Sequence, residues 1–380
     1  MSVVVTGVGA QCAFGDVPAL IDAVGAGRSA VRMTQFDAMQ GLPPVPAAVT
    51  PEVSPVEFLR DRKLQKYMSP AARLAVVAAG RALRRAGLLE DQERRGSLAV
   101  FVATGLIAFD LDAVSRAITE SRAEDGTLDL QRLGAEGLRS CPPLMPFKML
   151  LNMPLGLVSI AFGIRGANFI VYPGAAQAGV CLEAAVRGIE TGRFDRALVG
   201  GTTQGLSLMP LATLLRSGRL AASEQAAKPF LPGHAGLAPS DGAAFLVIEH
   251  ERAAAERGHE PLAHIRRPVI AHLAPTPDNC RALWLEAAGE SVPGEVITTG
   301  SCTEREDALD VATAGACWPM EVPHLTSFDG SVGWIGAGAL PLAAAAASMR
   351  IDRGSSVLIA AHDADGALAL TAIEAARRTA

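Results

Sequence analysis

Aromatic residues are scarce in this chain. Phe, Trp and Tyr together make up 4% of its 380 residues, with only three Trp and two Tyr. A core of this size must therefore be built from Ala, Leu, Val and Ile in close layers. Charge is scarce too, at 19% against 49% hydrophobic residues, which excludes a disordered protein. The small net charge of −5 excludes a general nucleic-acid binder. The opening MSVVVTGVGAQCAFG lacks the basic start of a secretory leader, so a cytoplasmic location is expected. No apolar run reaches about 18 residues without a charge or a Gly/Pro break, so no membrane association is expected. Cys12, Cys141, Cys181, Cys280, Cys302 and Cys317 form no CxxC pair. They read as reduced thiols, not as a disulfide framework or a zinc site. No His precedes His234.

What the chain has is Gly, Ala and alternating apolar runs. Val3-Val4-Val5 reads as a buried strand ending at Gly7 and Gly9. Ser69-Pro70 marks a helix start running to Arg85, with Ser as the cap and Pro in the first turn. Leu98 to Thr104 reads as a second buried strand. This alternation predicts an α/β architecture with mainly parallel sheets.

An internal repeat carries more information than any one element. Phe169 to Tyr172 reads as a strand, followed by a Gly/Ala turn, a helix to Glu190, a charged loop, and the strand Ala197 to Gly201. The same series recurs as the strand His324 to Phe328, the turn Gly330 to Gly338, the helix Leu340 to Met349, a charged loop, and the strand Ser356 to Ala360. The strand at Val3 is matched in this scheme with Glu295 to Thr298. Two similar halves follow, 1–255 and 256–380, joined through the charged stretch Glu249 to Arg267. The first half carries a more polar insertion near 106–155.

Three short motifs carry little. Thr6-Gly7-Val8-Gly9 follows a strand, but Cys12 stands where a dinucleotide loop needs its third Gly, and Asp37 lies too far on for the ribose acid. Asp363-Ala364-Asp365-Gly366 begins like a calcium loop and then loses the spacing. No cofactor or metal is expected. Arg60, Arg62, Lys63 and Lys66 form a basic cluster, read first as a solvated face and second as a surface for an acidic partner.

Pro146 to Gly201 resembles the signature region of the β-ketoacyl synthases. Gly166-Ala167-Asn168, Arg187, Gly192 and Gly200-Gly201 fall in register with it. The opening VVVTGVGA, Gly27-Arg28-Ser29-Ala30, Lys228-Pro229-Phe230 and Ser240-Asp241-Gly242-Ala243-Ala244 resemble further family segments. The resemblance implies the thiolase-like fold, two similar halves in five α-β-α-β-α layers. It also implies a dimer, with the strand Phe169-Ile170-Val171 near the two-fold axis.

The family's chemistry needs a thiolate at the start of a helix, whose N-terminal end lowers the thiol pKa. It also needs two His and a supporting Lys. By the resemblance the nucleophile position is Ala175 and the first His position is Thr299. The second His position is Trp334, or Gly333 with the shortened turn. The Lys position is Asp329 or Phe328. The family's Gly-Phe-Gly-Gly turn, which supports the oxyanion site, is Asp363-Ala364-Asp365-Gly366 here. No catalytic residue of the family is kept, and decarboxylating family members retain a His pair that this chain lacks. Cys302, with Asp307 and Asp310 following, is an alternative nucleophile; the plainer reading is a packed small residue. Tyr172 and Trp334 are expected to plug the former cavity.

The resemblance then implies a pseudoenzyme that works by binding protein, as a homo- or heterodimer. One version resembles chain-length factors that pair with an active synthase. The other resembles the thiolase-like adaptors or chaperones associated with type VI secretion effectors and spike components. The competing class is an active condensing enzyme with a non-standard site.

Overall fold

A computed structural model describes residues 2–36, 43–105, 111–172, 174–274 and 276–376. Asp37, Pro173 and the first residues of the expected insertion, 106–110, lie outside the described residues. The strands are β1 (Val3–Gln11), β2 (Val31–Thr34), β3 (Val45–Ala48), β4 (Ala99–Thr104), β5 (Asn168–Val171), β6 (Arg196–Gln204) and β7 (Asp241–His250). They continue as β8 (Ala263–Ile265), β9 (Val269–His272), β10 (Glu295–Thr299), β11 (His324–Ser327), β12 (Ser356–His362) and β13 (Ala367–Ala375).

Eleven strands join in the order β11-β10-β12-β13-β8-β1-β7-β6-β4-β5, with β9 also on β13. The seam is the short antiparallel pairing of β1 with β8, at Val4–His264 and Val5–Ala263. On each side of it the same order is built. The run β5-β4-β6-β7-β1 is matched by β11-β10-β12-β13 followed by β8 and β9. The repeat is therefore real, but one of its pairings needs correcting. Glu295–Thr299 sits where β4 sits, between its two parallel neighbours β11 and β12. The counterpart of the Val3 strand is the broken strand β8/β9. Arg266-Arg267-Pro268 interrupts it, since Pro offers no N–H to a ladder and the charges break the apolar run.

The expectation of mainly parallel sheets is also corrected. Only β4–β5, β4–β6, β10–β11 and β10–β12 are parallel. β12 passes into β13 through the tight turn Asp363–Gly366, and so short a turn forces an antiparallel pair.

The layers form because each face of the sheets needs an apolar cover. The helices Pro70–Arg85 and Met153–Phe162 cover the outer face of the first half-sheet. The Ser69 hydroxyl caps the first of these by accepting from the Ala72 N–H at 3.2 Å. Ala175–Glu190 and Ala339–Arg350 lie between the two half-sheets and touch both. Pro277–Ala288 covers the far side, with Glu304–Cys317 packed beside it. This is the α-β-α-β-α order. Residues Leu340 to Ser348 are all buried because both faces of their helix meet a sheet, and the Ala run 343–347 keeps the layers close. The Ala run 312–316 differs: its helix is an outer one, and Ala312 and Ala316 face solvent. Among the described residues no helix is long and apolar enough to cross a membrane.

Close approach also fixes Gly9. A Cβ there would run into the Ala78 carbonyl and the Ala82 N–H group of the helix above. Gly9→Ala should lower stability by about 1–3 kcal/mol, the cost of overpacking a dense interior. Gly25→Ala, in open space on a helix, should be neutral or stabilising. Thermal unfolding followed by circular dichroism compares the two. Equal midpoints would contradict the packing described.

Candidate functional site

The site forms where the helix Ala175–Glu190 begins. Gly174 precedes it with φ 114°, a conformation that favours glycine, and contributes no side-chain cap. The first N–H groups of a helix lack internal partners and carry partial positive charge. Here they are met from the other half of the chain. The Asp363 carboxylate accepts from the Ala175 N–H at 2.8 Å and from the Ala176 N–H at 3.0 Å. Gly174 is what admits it, because a Cβ at that position would collide with the Asp363 carboxylate. Burial pushes the Asp363 carboxyl up to about 6, against the two N–H bonds that favour its charged form; nearby Asp365 adds repulsion. Ala175 itself is fully buried and presents a methyl group.

The other singled-out positions gather close by. Thr299 ends β10, and its hydroxyl donates to the Asp329 carboxylate, 3.0 Å from either oxygen. The Gly300 N–H donates to the same carboxylate at 2.8 Å. Burial raises the Asp329 carboxyl to about 6. Asp329, and not Phe328, is thus the residue that meets Thr299. Phe328 is buried in the core under the Arg350 guanidinium. Gly333 has φ 77° and no room for a side chain, with Ser240 and Ala48 against it. Trp334 follows it into the cavity wall, packed with Leu214, Leu237 and Cys302.

A cavity of about 500 Å³ opens here. Tyr172 and Trp334 both line it, and Tyr172 is 40% exposed. Leu214, Gln177 and Asp363 complete much of the surface, which is mainly apolar.

Cys302 does not line this cavity. It is buried, and burial pushes its thiol up to about 12, far from the thiolate a nucleophile needs. One constellation escaped the sequence. His234 is buried with Nδ1 2.7 Å from the Asp307 carboxylate. That carboxylate also accepts from the Ser301 hydroxyl at 2.7 Å and from the Phe230 N–H at 2.8 Å. Burial opposes the Asp307 charge, but the bonds from His234, Ser301 and Phe230 hold its carboxyl below the usual range. Ser, His and Asp are together but in the wrong order for nucleophilic catalysis. Asp307 binds both others, so His234 does not stand between Ser301 and the carboxylate. The cluster is structural, and it holds Phe230 at φ 62°. Asp310 belongs to a separate contact, 3.2 Å from His362 Nε2. The seventy-odd residues between His234 and Asp307 hid the pairing.

Arg60, Arg62, Lys63 and Lys66 are exposed around the short helix Arg62–Tyr67, and none lines the cavity. Phe169, Ile170 and Val171 lie on β5, which ends the sheet order with one edge unpaired among the described residues. Phe169 is 41% exposed.

The family model of the β-ketoacyl synthase N-terminal domain matches residues 1–254. The chain belongs to the β-ketoacyl synthase family. It is similar to nodulation protein E of Rhizobium sp. (strain N33), 29% identical over 266 residues, which are 69% of this chain and 61% of that protein. The chain thus spans about three fifths of the length of the curated relatives it matches first. Its fold is similar to the ishigamide ketosynthase/chain length factor, with TM-score 0.81, 19% identity and 99% of each chain covered. It is also similar to a β-ketoacyl synthase from Burkholderia phymatum STM815, with TM-score 0.80, 20% identity, and 99% of this chain and 100% of that one covered.

The Asp363 carboxyl gives a pH test. Its folded pKa lies above the ordinary 3.8, so its contribution to stability is complete below pH about 4 and is lost as pH rises through about 6. The unfolding free energy of the wild type relative to Asp363→Asn should fall by roughly 1–3 kcal/mol between pH 4 and 7. Urea unfolding at a series of pH values measures it. A difference that stays flat or rises would contradict the buried carboxylate.

Proposed function

We propose that the protein is a non-catalytic β-ketoacyl synthase-like subunit that acts by pairing with another protein, an active ketosynthase homologue. The observation that carries this reading is Asp363. Its carboxylate takes the N–H groups at which the family's reaction would hold developing negative charge. Ala175 supplies no nucleophile beside it. Thr299, Trp334 and Asp329, taken as the former His, His and Lys positions, offer no proton donor-acceptor pair near neutral pH. A condensing enzyme with a displaced thiol is disfavoured, since burial holds Cys12, Cys181, Cys280, Cys302 and Cys317 above the usual thiol range, and the sixth, Cys141, does not line the cavity.

Pairing is supported by the free edge of β5, where Phe169, Ile170 and Val171 could continue the sheet into a second subunit. The name of the ishigamide structure, ketosynthase/chain length factor, supports the kind of partner. In this reading the halves 1–255 and 256–380 serve as one scaffold, and the face of Arg60, Arg62, Lys63 and Lys66 is free for an acidic partner surface. An adaptor role in type VI secretion uses the same inert scaffold with a different partner.

Co-purification from the native host, with mass spectrometry and light scattering, tests the reading. We expect an active ketosynthase in a stable complex, lost on Phe169→Asp while the isolated variant still unfolds cooperatively, with a midpoint lowered by the lost Phe101 contact. A secreted effector or spike component in its place would support the adaptor version and overturn the ketosynthase pairing. A monomer with no partner would overturn both.

A further inference from the structure

We infer that the cavity beside Asp363 is a binding site for an aliphatic amine, a ligand with an apolar body and an ammonium head. The inference stands apart from the pairing proposed above, because it concerns the interior of this chain alone.

The volume comes first. About 500 Å³ lies within the span of small-molecule sites, and its wall is mainly apolar, with Leu214, Pro210 and the rings of Tyr172 and Trp334. Such a surface takes an aliphatic chain. The head group is decided by charge. An anionic head would seek the N–H groups of Ala175 and Ala176, but the Asp363 carboxylate already occupies them. A carboxylate or a polarised thioester oxygen brought there would meet a like charge in a poorly solvated place.

An ammonium head meets the opposite situation. Asp363 accepts from the Ala175 and Ala176 N–H groups and is further stabilised by the Gln177 N–H, but a carboxylate has about four acceptor sites, so it can still accept from a ligand. Asp365 stands on the same wall and adds to the negative potential. The rings of Tyr172 and Trp334 line the same cavity, and aromatic rings attract a cation placed over them. The arginine on the cavity wall is engaged elsewhere, and an imidazole meets Asp365 only at the rim. Arg219 lines the cavity, but its guanidinium donates to the Gly300 carbonyl at 2.9 Å and lies 4.0 Å from the Glu306 carboxylate. His272 lies 3.9 Å from Asp365 on the exposed rim, and His362 lies against Asp310.

The test uses three probes of one chain length: octylamine, octanol and octanoate, titrated calorimetrically into the full chain at pH 7.5. The site predicts octylamine tightest, octanol weaker, and octanoate at least about tenfold weaker than octylamine. Asp363→Asn and, on the rim, Asp365→Asn should each reduce the amine-over-alcohol preference, read as the ratio of the two affinities in the same variant. Circular dichroism shows which variants fold, and Asp365→Asn remains informative if Asp363→Asn does not. Octanoate binding as tightly as octylamine, an amine preference untouched by Asp365→Asn, or no octylamine binding at millimolar concentration would each overturn the inference.

Discussion

The contact between the Asp363 carboxylate and the first two N–H groups of the helix Ala175–Glu190 organises the centre of the molecule. The donors come from the first structural repeat and the acceptor from the β12–β13 turn of the second. A helix N-terminus needs an anion or a capping side chain. About half of the α-helices find a capping side chain locally, as Ser69 and Thr276 show. This helix has Gly174 at the capping position and no local acceptor. Its N-terminus is satisfied only when the two halves close on each other. On the proposed reading the same N–H groups would serve substrate in a working condensing enzyme, so one carboxylate would both complete the fold and fill the reactive position.

On the proposed reading, the neighbouring residues agree with that arrangement. With Asp363 installed, a thiolate at 175 would face a carboxylate, and the helix could no longer stabilise it. Ala175 is the residue that fits. The Thr299–Asp329 pair is self-contained: hydroxyl, backbone N–H and carboxylate satisfy one another in a buried pocket. These groups form a consistent low-polarity structure, with each charged atom assigned a partner from the chain itself. What remains open is the apolar cavity beside Tyr172 and Trp334 and the unpaired edge of β5.

Much of the fold was legible in the sequence because it rests on local signals. Ser69-Pro70 announced its helix, and the two Gly-rich turns announced the strand-helix-strand series that the structure repeats. Local signals failed where pairing depends on distance. β8 and β9 were missed as the counterpart of β1, since Pro268 breaks one strand into two short pieces that no apolar period reveals. The parallel expectation failed at β13, where the length of a turn decides direction. Within the site, Ala175 and Thr299 could be singled out by resemblance alone. The bond from Asp363 to Ala175, 188 residues away, could not, because Asp-Ala-Asp-Gly reads first as an exposed turn. His234 and Asp307 were likewise separate residues until the fold joined them.

The central claim is that the chain has the synthase fold with its reactive position filled by its own carboxylate. Incubation with acyl- and malonyl-carrier proteins, read by intact-protein mass spectrometry and by carbon dioxide release, tests it most directly. The account predicts an unchanged protein mass and no carbon dioxide above the protein-free rate. A stoichiometric acyl adduct on any residue, or release that depends on the protein, would contradict it.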